Sequence, residues 1–97
     1  MAKVIWAKEA REDLEEIYLY LFGLSEKSAK AWASEITQTA FLLENFPRMG
    51  RVVPNININR LRECVVKQHR LIYEVNEDDS LIEIMAIRHS SKPLSDF

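Results

Sequence analysis

Arg62, Glu63, Lys67 and Arg70 fall within nine residues, and His89 follows on a later β-rich run. Arginines can grip a phosphate and stabilise the charge that builds on it during transfer. A glutamate or histidine can move the proton of a ribose 2′-hydroxyl. Arg70 for the phosphate, with Glu63 or His89 for the proton, would therefore be enough to cleave RNA without a metal. The plainer reading is a solvated sheet edge on which Glu63 neutralises a neighbour. On spacing alone that reading is favoured, because charged strand ends commonly do no more than blunt an edge. A histidine that ends a strand is also more often a packing or surface residue than a base.

These residues belong to a wider basic stretch. Residues 48–70 carry Arg48, Arg51, Arg60, Arg62, Lys67 and Arg70 against one acid, Glu63, whereas residues 1–46 carry five Lys/Arg and eight Asp/Glu. The net charge of −2 hides this asymmetry, and local charge steers partners more than net charge does. Arg48, Arg51, Arg62, Lys67 and Arg70 are the candidate binding residues for an anionic target or partner. Other chemistries find no support. His69 and His89 are the only histidines and no Cys/His cluster has metal-ligand spacing, so no metal site and no cofactor is expected. The two glycines lie far apart and form no phosphate-cradling loop, and no Gly-x-Ser-x-Gly elbow occurs. Tyr18 and Trp32 fall in apolar helical stripes, where core packing explains them better than base stacking.

The elements that must position these residues can be read from periodicity. Residues 2–7, AKVIWA, form a short strand. Leu14, Ile17, Tyr18 and Leu21 recur as one stripe of an amphipathic helix, with Gly23 as its stop. Ser25 caps a second helix whose stripe is Ala29, Trp32, Ala33, Ile36, Ala40 and Leu43, ended by Pro47. PRMGRVVPNININR, residues 47–60, reads as a long loop or irregular edge. LRECVV, RLIYEV and LIEIMAIR are three strands, the last two joined by the polar turn NEDDS. The fold class is thus α+β in the order β-α-α-β-β-β, with a helical hairpin packed on one face of a mainly antiparallel sheet and the other face partly open. The 97 residues, 47% of them apolar, suit one domain over 1–97, with residues 90–97 as a loose tail. A lone Cys64 and the absence of a signal peptide point to the cytoplasm, and no apolar run is long enough for a membrane.

The order of AKEAREDLEEIYLYL, LLENFPRMGR, LREC, HRLIYEV and IEIMAIRH, over roughly residues 3–92, resembles the RelE/ParE superfamily of toxins from type II toxin–antitoxin modules, the group that includes plasmid stabilization proteins. The resemblance implies an intracellular toxin held inactive by a cognate antitoxin, as a homodimer or a toxin–antitoxin hetero-oligomer. It implies one of two targets. ParE-like members inhibit DNA gyrase; RelE-like members cleave ribosome-bound mRNA. The helical hairpin and PRMGR look ParE-like, while HRLIYEV looks like the RNA-cleaving branches, in which an arginine at the position of Arg70 contacts phosphate. His89 falls where one cleaving branch has a catalytic histidine and where ParE-like proteins often have one too. The RelE pattern also has an arginine just after the last strand and a tyrosine beyond it; here Ser90 stands near the first, and no tyrosine follows Tyr73. The ParE-like branch is the favoured one. The bland use for the basic stretch would be to dock acidic segments of the antitoxin.

Overall fold

The computed structural model describes residues 1–92 and Leu94. The elements are β1 (Lys3–Trp6), α1 (Lys8–Leu24), α2 (Glu26–Leu43), β2 (Arg51–Val52), β3 (Leu61–Val66), β4 (His69–Val75) and β5 (Leu81–His89). The helices pack on a five-stranded sheet of order β1-β5-β4-β3-β2. All pairings are antiparallel except β1 with β5, where Lys3 lies beside Leu81 and Trp6 beside Ile84. The α+β class and the hairpin on one face are as the sequence predicts.

Several details differ, each for a local reason. Gly23 does not stop α1. It keeps a negative φ inside the last turn, and the chain leaves the helix at Ser25, which is extended and accepts a hydrogen bond at its Oγ from the Ser28 N–H, 3.2 Å, to start α2. Helix α2 ends at Leu43, one turn before Pro47. The stretch expected to be irregular contains a fifth strand, β2, of only two residues. Gly50 makes this approach possible: a Cβ there would lie 2.7 Å from the Glu63 carbonyl oxygen and 2.7 Å from the Tyr73 hydroxyl. Of the expected tail, 93 and 95–97 lie outside the described residues; Ser90 and Ser91 form a turn, and Leu94 is buried.

The main core lies between the hairpin and the sheet. Trp32, Ile36, Leu43, Leu71, Tyr73, Val75, Ile82, Ile84 and Ile87 are all buried there, each large aliphatic side chain contributing about 1.5–3 kcal/mol by leaving water. Helix α1 sits higher on this core. Only Ala10 of it is fully buried, and Leu14, Ile17, Tyr18 and Leu21 are half-covered. On the opposite face Val53, Leu61, Ile72 and Leu94 form a second, smaller cluster, so part of the face expected to be open is covered.

A β-bulge sets the end of the sheet. Ile72 faces Ala86, but Tyr73 faces Ile84, leaving Met85 as the extra residue of β5. Strict alternation from Ile82 and Ile84 would carry residues 86 and 88 to the helix side. With the bulge it is Ile87 that joins the main core, while Met85 packs on the other cluster. The same shift brings His89 opposite His69.

Candidate functional site

Strands β3 and β4 are joined by Lys67 and Gln68 alone, with Val66 facing His69 across the turn and Lys67 in the left-handed region at φ 54°. This register puts Glu63 and Ile72 on the face away from the helices, with Val65 and Arg70 two pairs nearer the turn on the same face. Arg51 of β2 faces Glu63 from the other side. The three charged side chains meet. Glu63 has no exposed side-chain surface. Its Oε2 accepts from Nε and Nη2 of Arg51, both at 2.6 Å. Its Oε1 accepts from Nε and Nη2 of Arg70, at 2.8 and 2.7 Å. Two oxygens, each chelated by one guanidinium, use all the acceptor positions of a carboxylate. Arg70 spends its remaining arm on the Lys92 carbonyl at 3.4 Å, and its side chain is 13% exposed.

The other cations of the basic stretch are also engaged. Arg48 pairs with Asp79 at 2.9 Å, Arg60 with Glu74 at 3.0 Å, and Lys67 with Glu35 of α2 at 3.6 Å. Arg62 lies on the helix side of β3, opposite Tyr73. It donates from Nη1 to the carbonyls of Arg48 and Gly50 and from Nε and Nη2 to Asn59. Tyr73 completes this brace, its hydroxyl accepting from the Gly50 N–H at 2.9 Å. Burial pushes the Tyr73 phenol up to about 12 and the neighbouring Cys64 thiol up to about 11. Of the residues that the sequence singles out, Arg51, Glu63 and Arg70 are brought together, and with Arg62 they hold one another and the 48–52 segment in place. The positive charge gathered at the head of HRLIYEV is mostly answered inside the fold.

His89 is not part of that clamp. It is exposed, and its Nδ1 accepts from the Ser91 N–H at 3.2 Å and lies 2.8 Å from the Ser91 Oγ. Its ring meets His69 edge-on, centroids 5.4 Å apart, and His69 meets Trp32 in the same way at 5.3 Å. The Nδ1 of His69 and the Nε1 of Trp32 are buried with no hydrogen-bond partner among the described residues. Burial first, and the neighbouring His89 second, hold the His69 imidazole below the ordinary histidine value. The pair borders a pocket of about 320 Å³ between α1 and β5, also lined by Glu9, Asp13, Glu16, Arg88 and Lys92. Arg88 bridges Glu9 at 2.8 Å and Asp13 at 3.2 Å. Asp13 also accepts from the Ile87 N–H at 2.9 Å. Burial raises the Asp13 carboxyl above its usual range against the pull of that hydrogen bond and of Arg88. Sequence reasoning missed this histidine pair, because the bulge that creates it has no composition signal. No group of three or more candidate metal ligands occurs among the described residues, and no helix in them is long and apolar enough to cross a membrane.

The family model described as ParE toxin of type II toxin–antitoxin systems, parDE, matches residues 4–94. Among solved structures, the chain is similar to one from the chromosomal ParDE toxin–antitoxin system of P. aeruginosa, at 20% identity and TM-score 0.73, covering 92% of this chain and 96% of that one. It is similar to a chain of the RelBE2 toxin–antitoxin complex from Mycobacterium tuberculosis, at 20% identity and TM-score 0.62, covering 91% and 96%. It is also similar to a chain of the archaeal RelE–RelB complex from Pyrococcus horikoshii, at 18% identity and TM-score 0.61, covering 95% and 98%. At these identities the structural likenesses speak of the fold alone. No curated protein matches the chain.

Proposed function

The chain belongs to the family of ParE toxins of type II toxin–antitoxin systems, and from that premise we propose that it arrests growth by binding DNA gyrase in the cytoplasm, without chemistry of its own, until a cognate antitoxin neutralises it. The observation that carries this reading is the clamp. A general base must present a free lone pair to its proton, and a phosphate-binding arginine must present free N–H groups. Both oxygens of Glu63 are chelated, and the Nε and Nη2 of Arg70 are spent on one of them. His89 stands on the other side of the sheet's end, beside His69. A binding surface asks less. Arg60 keeps 63% of its side-chain surface exposed, and with Arg48 and Lys67 it can exchange weak surface pairs for contacts with an anionic partner, while Arg51, 60% exposed, presents its outer edge without leaving Glu63. Arg62 and Arg70 act beneath them as supports. The similar solved chains come from toxin–antitoxin systems, which supports an antitoxin as the partner of this chain.

Expression of the chain alone should arrest growth, and co-expression of an antitoxin encoded beside it should relieve the arrest. Purified toxin should inhibit gyrase supercoiling and leave mRNA intact on translating ribosomes. Cutting of mRNA in the ribosomal A site, abolished by His89→Ala in a folded variant, would replace this reading with the RelE-like endoribonuclease.

A further inference from the structure

Strand β1 covers only the first half of β5. It pairs with Leu81–Ile84, and the Ala7 N–H then donates to the Ile84 carbonyl at 2.9 Å. Residues 85–89 run on with no strand on that side among the described residues. Their hydrogen-bond directions follow from their neighbours. The Ile87 N–H points away from β4, since the Asp13 carboxylate takes it at 2.9 Å. The Ser90 N–H points the other way, to the Gln68 carbonyl at 2.8 Å. Alternation therefore turns the main-chain groups of Ile87 and His89 outward and those of Arg88 toward β4. The His89 carbonyl is taken by the Lys92 N–H at 3.0 Å. The Ile87 carbonyl and the His89 N–H have no partner among the described residues. These residues form one wall of the 320 Å³ pocket, and Glu9, Asp13 and Glu16 of α1 stand on the other. Arg88 answers Glu9 and Asp13. Glu16 has no ion pair among the described residues.

We infer that this gap binds a short extended segment of another protein, parallel to β5 on the line that β1 vacates, with a basic side chain set against Glu16. The free groups select the direction. A carbonyl at 87 and an N–H at 89 serve a parallel neighbour, one residue of which, opposite Arg88, donates to the first and accepts from the second. An antiparallel neighbour needs both groups of a single residue, and Ile87 and His89 have each spent one of theirs. Asp13 already stands where a carbonyl two residues earlier in such a segment would accept the Ile87 N–H, so the segment enters only beyond it. Charge selects the side chain. Residues flanking the one opposite Arg88 share the face of Ile87, which looks onto the helices. There Glu16 is the acid left unanswered, and a lysine or arginine complements it. The gap lies against the acidic helix α1, away from the basic stretch assigned to the target above, and it stands or falls independently of that assignment.

The test titrates the purified full-length chain, isotopically labelled for amide NMR, with a capped pentapeptide of alanine and valine around a central lysine. The expected result is saturable shifts centred on Ile87, Arg88, His89 and Glu16, with a dissociation constant of about 1 mM or tighter. N-methylation of the residues flanking the lysine removes the N–H that meets the Ile87 carbonyl and should weaken binding about tenfold. A glutamate in place of the lysine should weaken it about threefold or more, and Glu16→Lys should restore that second peptide and reject the first. Glu16 is exposed, so the variant leaves the fold intact. Absence of saturable shifts up to about 5 mM, shifts centred on the free edge of β1, or indifference to either the N-methylation or the charge exchange would overturn the inference. So would equally tight binding of free lysine, which would make the gap a site for a small cation and not for a peptide.

Discussion

His69 and Arg70 are neighbours in the chain and lie in two unlike regions. Arg70 enters a saturated cluster, in which Glu63 binds two guanidiniums and the remaining arm of Arg70 reaches a carbonyl. His69 enters an unsaturated one, with an unpartnered Nδ1, a second imidazole at 5.4 Å and an open pocket beside it. The clamp around Glu63 has its donors and acceptors spent on one another, whereas the histidine pair, of which the sequence singled out only His89, keeps a buried Nδ1 with no hydrogen-bond partner among the described residues. Density of charged residues along a chain measures how much charge must be accommodated, while availability depends on what the fold sets opposite each group.

Removing Glu63 should break that contrast most severely. Glu63→Ala strands Arg70 at 13% exposure beside Arg51, and breaking a buried pair on one side costs about 3–5 kcal/mol. Urea denaturation would show it, and a loss below about 1 kcal/mol would mean that the clamp is loose and Arg70 available after all. Tyr73→Phe is the next in size. It leaves the buried Gly50 N–H without its acceptor and should cost about 1–3 kcal/mol by the same measurement. A smaller effect comes from pH. His69 is held below its ordinary value, so the unfolded chain takes a proton that the folded chain resists. The stability this group contributes is present above about pH 6.5, the unfolded value, and is lost as pH falls through the folded value. His69→Leu should flatten this acid limb. Asp13, raised by burial, works in the opposite sense at lower pH, and Asp13→Asn separates the two. His89→Ala should have the least effect. An exposed side chain bonded only to its own turn should change stability by no more than about 0.5 kcal/mol, and growth arrest and supercoiling inhibition should persist.

Much of the scaffold was legible because it rests on long periodic runs. The stripe from Trp32 to Leu43 and the alternation of Leu71, Tyr73 and Val75 both sit in the main core. The charged cluster was legible in its residue types but not in its arrangement. The turn that fixes the β3–β4 register is Lys67–Gln68, with a lysine at φ 54° where glycine or asparagine would have announced a tight hairpin. Without that register nothing in the sequence says that Glu63 lies close enough to bind Arg70. Strand β2 was hidden for a related reason: two residues are too few to show alternation. The bulge at Met85 and the parallel pairing of β1 depend on tertiary contacts and have no local signature.

That parallel pairing has a consequence for synthesis. Trp6 rests beside Ile84, so β1, made before every other strand, has no strand to join until β5 has left the ribosome. At about 5–20 residues per second the helical hairpin waits several seconds with its apolar underside unroofed, and the sheet closes only through contacts that span most of the chain, the slow kind. That delay gives a partner made alongside it time to reach the chain before it has finished folding.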